Sequence, residues 1–151
     1  MRLAVIILGE PNSGKTSTLK HFINKHSQNN LSVLRRGRQQ IQLNSQYFSY
    51  LKLHAYFLSA SPSERNEPLK SILKGRIPEI LFLPEQLSDS QFNNSISFLN
   101  QNQFTVLTFQ INNQVGPSDW EKFNATTEKQ KLDSRAYEIL AEIRKFRLNN
   151  I

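Results

Sequence analysis

Short apolar runs separated by amphipathic stretches set the plan of this chain. Leu3-Ala4-Val5-Ile6-Ile7-Leu8 is an unbroken apolar run of the length expected for a strand covered on both faces. Leu19, Phe22 and Ile23 then recur at helical spacing, which predicts a helix from about Thr16 onward. Gln28 to Asn30 breaks that period. An extended segment is expected over Leu31 to Leu34, interrupted by a turn at Arg36-Gly37-Arg38. Gln39-Gln40-Ile41-Gln42-Leu43 alternates polar and apolar positions as a strand with one exposed face would. Asn44-Ser45-Gln46 reads as a turn, and Tyr47 to Ala60 completes a hairpin that runs into a core strand stopped by Ser61-Pro62-Ser63-Glu64.

The second half repeats the alternation. Leu69, Ile72 and Leu73 give the segment from Pro68 to Lys74 the apolar face of a short helix. Glu79 to Leu83 is a buried strand that Pro84-Glu85 is expected to end. Phe92, Ile96 and Leu99 predict a helix over about Ser88 to Asn100, and Phe104 to Ile111 reads as the last strong strand. Leu132, Ala136, Ile139, Leu140, Ile143 and Phe146 share one face of a C-terminal helix whose Glu138, Glu142, Arg144 and Lys145 suit its exposed side. This order predicts an α/β protein, a three-layer sandwich with a mostly parallel sheet of about five strands. At 151 residues, the span 1–151 is expected to form a single domain.

The connection after the first apolar run carries the chemistry. Gly9-Glu10-Pro11-Asn12-Ser13-Gly14-Lys15-Thr16 fits G-x-x-x-x-G-K-[ST], and it lies between a strand pattern and a helix pattern, the context this motif requires. Glycines let such a loop wrap closely around an anion, and the N–H groups at the start of the next helix favour negative charge. Lys15 suits the β- and γ-phosphates, and the Thr16 hydroxyl suits Mg2+. Residues Gly9 to Thr16, with Ser17 behind them, are therefore the candidate phosphate-binding set; Pro11, Asn12 and Ser13 shape the loop. On these residues the chain resembles the P-loop NTPase superfamily. Its central part is similar to small bacterial P-loop proteins in which a hairpin leads to a Ser-Ala-like strand end, an apolar strand and a final helix. That resemblance implies nucleotide binding, with ATP and Mg2+ as the expected ligands.

Two further parts of that pattern are altered. No strand ends in an apolar run followed directly by Asp, the usual source of an acid for Mg2+ or water. Glu64 and Glu85 are the candidates, and Glu85 is favoured as a catalytic group beside Lys15 because it follows Ile80 to Leu83 by one proline. Ser59 or Ser61 could instead act on Mg2+ through a water, and Glu10 could orient water or face solvent. The guanine-reading Asn-Lys-x-Asp is replaced after the last strand by Asn112-Asn113-Gln114-Val115, which favours ATP over GTP.

Composition narrows the setting. The chain has no cysteine, so disulfides and thiolate chemistry are excluded. No apolar stretch reaches the about 20 residues needed to span a bilayer. The early apolar run ends in the Gly9 loop rather than a small-residue cleavage site, so a cytoplasmic protein is expected. Net charge is +7, with clusters at Arg35-Arg36-Gly37-Arg38, at Lys70, Lys74 and Arg76, and at Arg144, Lys145 and Arg147.

Three readings follow. In the first, the protein binds ATP with Mg2+ and hydrolyses it slowly or acts as a switch. In the second, it is a small-molecule or nucleotide kinase whose lid is the 64–76 segment, with Arg65, Lys70, Lys74 and Arg76 as its cations. In the third, the loop is a relic and the basic surface binds nucleic acid or a partner protein, with Tyr47, Phe48 and Tyr50 available to stack bases.

Overall fold

A computed structural model describes residues 2–43, 52–87 and 90–150. Along the chain come β1 (Arg2–Gly9), α1 (Lys15–His26), β2 (Gly37–Gln42), β3 (Lys52–Phe57), α2 (Pro62–Arg65) and α3 (Leu69–Leu73). Then follow β4 (Ile80–Gln86), α4 (Ser90–Gln101), β5 (Phe104–Gln110), β6 (Asn112–Val115), β7 (Glu121–Lys122) and α5 (Glu128–Asn149). Five strands form one sheet in the order β2-β3-β4-β1-β5. β3, β4, β1 and β5 run parallel, and β2 pairs antiparallel with β3.

The apolar pattern explains the layers. Alternate residues of β1 face opposite sides. Leu3, Val5 and Ile7 pack with Leu19, Phe22 and Ile23 of α1 and with Ala136, Ile139, Leu140 and Ile143 of α5. Ala4, Ile6 and Leu8 pack on the other face with Leu69, Ile72 and Leu73 of α3 and Leu99 of α4. Helices on both faces of a mostly parallel sheet make this an α/β protein, an arrangement compatible with a three-layer sandwich. Phe22, Phe57 and Phe82 stack at its centre, with ring centroids 5.2 Å apart for Phe22–Phe82 and 4.4 Å for Phe57–Phe82. Burying each such ring contributes about 1.5–3 kcal/mol, with about 0.5–1.5 kcal/mol more from each ring pair.

The structure departs from the sequence expectations in several places. Leu31 to Leu34 forms no strand; the Asn24 side chain takes both backbone groups of Leu31, accepting from its N–H at 2.6 Å and donating to its carbonyl at 2.9 Å. Gly37 and Arg38 open β2 instead of forming a turn before it. Ser61-Pro62 does more than stop a strand. Ser61 caps α2, its Oγ accepting from the Glu64 N–H at 3.1 Å, with Pro62 at the first helical position. β4 does not end at Pro84 but runs on through Glu85 to Gln86. The reason is that β3 pairs with β4 only as far as Phe82, whose carbonyl accepts from Leu58. Pro84 lies on that same side two residues on, so its missing N–H faces a flank the sheet has already left. The β6–β7 pair was not expected at all. The turn read at residues 44–46 lies outside the described residues, as do Tyr47, Phe48, Tyr50 and the first two residues of the helix expected from Ser88.

Candidate functional site

The segment Gly9–Thr16 lies at the C-terminal end of β1, the end at which open parallel sheets place ligands. Asn12 has φ 60° and Gly14 has φ 95°, so the chain curls tightly between strand and helix. Only a residue without Cβ suits Gly14: an added Cβ would sit 2.9 Å from Phe123 Cε1 as well as in the left-handed region. Gly9 is equally constrained, since a Cβ there would lie 2.5 Å from Ser13 Oγ. α1 begins at Lys15 with no side-chain cap and no acidic residue in its first turn. Its opening N–H groups therefore have no intrahelical acceptor and no acidic side chain from their own turn.

Lys15 folds back over this curl. Its Nζ donates to the carbonyls of Gly9 at 3.0 Å and Glu10 at 2.8 Å, and the residue is only 4% exposed. Burial pushes its ammonium below the ordinary value, while Glu64 and then Glu10 pull it back up. Lys15 forms no ion pair among the described residues. Ser13 is 3% exposed, and its Oγ has no hydrogen-bond partner among the described residues.

Two cavities flank the curl. One, of about 320 Å³, is lined by Pro11, Asn12, Ser13, Gly14, Lys15, Thr16, Glu64 and Gln86. The other, of about 300 Å³, is lined by Asn12, Ser13, Gly14, Thr16, Ser17, Lys122 and Phe123. The first brings the predicted loop residues together with Glu64, whose carboxylate accepts from the Ser61 hydroxyl at 3.3 Å. Glu85 lines neither cavity. It is fully buried, and the alternation of β4 carries it with Leu81 and Leu83 toward the α3–α4 face, whereas Gln86 points to the loop's side. Glu10 is half-buried beside the loop, Ser61 is buried under α2, and Ser59 is half-buried at the end of β3. Lys74 and Arg76 lie before β4, at the opposite end of the sheet from the loop, and do not cover it.

Sequence reasoning missed what holds the Lys122–Phe123 side of the second cavity in place. Lys131 and Arg135 lie one helical turn apart on α5, and both are buried. Arg135 donates through Nε to the Asp119 carbonyl at 2.7 Å, through Nη2 to the Glu121 carbonyl at 2.7 Å, and through Nη1 to Thr18 Oγ1 at 3.0 Å. Its guanidinium carbon lies 5.3 Å from both the Trp120 and Phe123 ring centres. Lys131 donates to the Gly116 carbonyl and, at 3.0 Å, to that of Lys122. Two helix cations thus fix the irregular 112–123 segment by its carbonyls and seat Phe123 against Gly14. Burial lowers Arg135 to about 10, opposed by Asp119, so it remains a cation at neutral pH. A signal was present: Arg135 is three residues after Leu132 and four before Ile139, on the apolar face of its helix.

Compared with known protein families, with curated proteins and with solved structures, the chain matches none. No helix among the described residues is long and apolar enough to cross a membrane.

Proposed function

We propose that the protein binds a nucleoside triphosphate, ATP in preference to GTP, with Mg2+, and turns it over slowly or uses it as a switch. The observation that carries this reading is a buried ammonium, Lys15, with no ion pair among the described residues, at the uncapped start of α1. A lysine is costly to bury alone, and a polyphosphate is the ligand class that would repay it, since it also suits the opening N–H groups of α1. The unpartnered Ser13 hydroxyl supports the same occupant.

The two flanks divide the work. Phosphates belong with Gly14, Lys15 and Thr16, and the nucleoside with Lys122 and Phe123, where a ring and a cation border the second cavity. Mg2+ takes oxygen donors, commonly one or two carboxylates with substrate phosphates. The Thr16 hydroxyl and the Glu64 carboxylate on the first cavity fit that donor set, so they would hold the ion, which when bound neutralises developing phosphate charge. Glu85, buried and lining neither cavity among the described residues, is assigned no catalytic part. An exposed, singly held Glu64 in place of a rigid strand-end acid accounts for slow rather than rapid turnover. Lys74 and Arg76 stand at the far end of the sheet, which leaves a kinase lid only Arg65, next to Glu64, and Lys70 among the cations of the 64–76 segment.

Titration calorimetry with ATP and GTP, with and without Mg2+, tests this on the native chain, Lys15→Ala and Glu64→Gln. ATP should bind the native chain. Lys15→Ala should weaken it at least about 100-fold, a loss of about 2.7 kcal/mol. Glu64→Gln, which keeps the capping geometry, should remove most of the Mg2+ dependence while leaving ATP binding without metal unchanged. If the native chain binds neither nucleotide at millimolar concentration, the proposal fails.

A further inference from the structure

The two basic clusters that lie far apart in sequence meet in space, away from the loop. Arg36 and Arg38, Tyr56, and Leu73, Lys74 and Arg76 line an open cavity of about 680 Å³. Tyr56 pairs with Leu81, which pairs with Ala4, while Gly9 pairs with Gln86 at the other end of the same strands. The five residues from Ala4 to Gly9 at about 3.3 Å each, and two strand spacings of about 4.8 Å, put roughly 19 Å between this cavity and the loop. We propose that this cavity and the sheet edge beside it bind the phosphodiester backbone of a single-stranded nucleic acid.

Among the described residues, four cations line the cavity and no carboxylate does. Arg36 is held in place: its Nε donates to the Tyr56 hydroxyl at 2.6 Å and its Nη2 to the Ile72 carbonyl at 2.5 Å, with its guanidinium 5.8 Å from the Tyr56 ring centre. A guanidinium positioned by acceptors of its own chain keeps its remaining N–H groups directed and loses little entropy on meeting a phosphate. Arg38, Lys74 and Arg76 are exposed and make no ion pair among the described residues. Four like charges gathered without a counter-charge repel one another, so a polyanion is the occupant that relieves them.

An extended strand fits better than a compact anion because the surface continues. Arg38 also borders a second cavity, of about 230 Å³, lined otherwise by Gln28, Asn29, Gln39, Gln40 and Gln42. That cavity runs along β2, the edge strand of the sheet, whose outer backbone groups face away from any neighbouring strand. Cations for phosphates followed by amides, the side chains suited to base edges, are the composition of a nucleic-acid path and not of a site for one small anion.

The test uses the full chain and a short dye-labelled single-stranded oligonucleotide, followed by fluorescence anisotropy between about 50 and 200 mM salt. With four phosphates neutralised, log K should fall with log salt at a slope of about −3, at about −0.7 per phosphate. The double variant Arg38→Gln/Arg76→Gln, at exposed residues whose side chains make no ion pair among the described residues, should melt like the native chain, shallow the slope by about 1.4 and weaken binding at least about tenfold. Lys15→Ala should leave strand binding unchanged, which separates this site from the nucleotide reading. Unaltered binding by the double variant overturns the proposal. So does loss of binding in Lys15→Ala, which would put the strand on the loop, or displacement of the strand by inorganic tripolyphosphate at an equal concentration of phosphate groups, which would mean a site for a small anion.

Discussion

Replacing Arg135 with methionine probes how the nucleotide side of the loop is built. Methionine keeps most of the length and apolar contact of the stem but removes the guanidinium. The carbonyls of Asp119 and Glu121 then lose a donor each held at 2.7 Å, and Thr18 loses one at 3.0 Å. Two part-buried carbonyls left without that donor cost about 1 kcal/mol each, and the two ring contacts with Trp120 and Phe123 about 0.5–2 kcal/mol each. Against this stands the burial penalty of the guanidinium, which the variant no longer carries and which depresses the native group to about 10. A net loss of about 3 kcal/mol follows, which for a chain of this size lowers Tm by about 6–12 °C. Scanning calorimetry reads the loss, and hydrogen exchange should show faster opening of amides over residues 112–123 with little change in β1 and β4. Arg135→Lys should recover less than half of the loss, because one ammonium cannot span the three acceptors a guanidinium fork reaches. A Tm within about 2 °C of the native value for Arg135→Met would refute the reasoning.

Two other expectations concern neighbouring features. Gly14→Ala should cost about 1–2 kcal/mol for the left-handed backbone alone and displace Phe123, so ATP affinity should fall further than stability does; equal ATP affinity in calorimetry would contradict the assigned close approach. His26 is held down to about 4, chiefly by burial and further by Lys25, Arg144 and His21, with a hydrogen bond at the Ala136 backbone opposing. The unfolded chain therefore binds more protons between about pH 4 and the ordinary histidine value of 6.5. Stability should be full above that window and fall as pH drops through it, by up to about 3 kcal/mol, and His26→Gln should flatten the urea-midpoint profile there.

The parts of the fold set by local pattern were legible in the sequence: the β1–loop–α1 unit, α3 and α5 each follow a run or period that only one element satisfies. The course of β4 past Pro84 was not, because a proline excludes a strand only where its N–H side has a partner, and that depends on where β3 stops. The candidate site was legible to the same degree. Glu85 looked favourable by its distance along the chain from an apolar run, yet strand alternation turns it to the other face, while Glu64 reaches the loop through a helical turn that Ser61-Pro62 starts. Arg135 was overlooked because an isolated charge within a long amphipathic pattern reads as surface, although its position on the apolar stripe said otherwise.

The flank of β4 at Pro84 has a further consequence, for the path of the chain rather than for catalysis. With no N–H there, β4 offers β3 no donor beyond Phe82. The chain after Leu58 leaves the sheet at that point and turns into α2. Pro84 itself is buried, so its ring is covered by the surrounding chain and not left as a free edge. One imino acid thus marks where the ladder stops and where the segment that brings Glu64 to the loop begins.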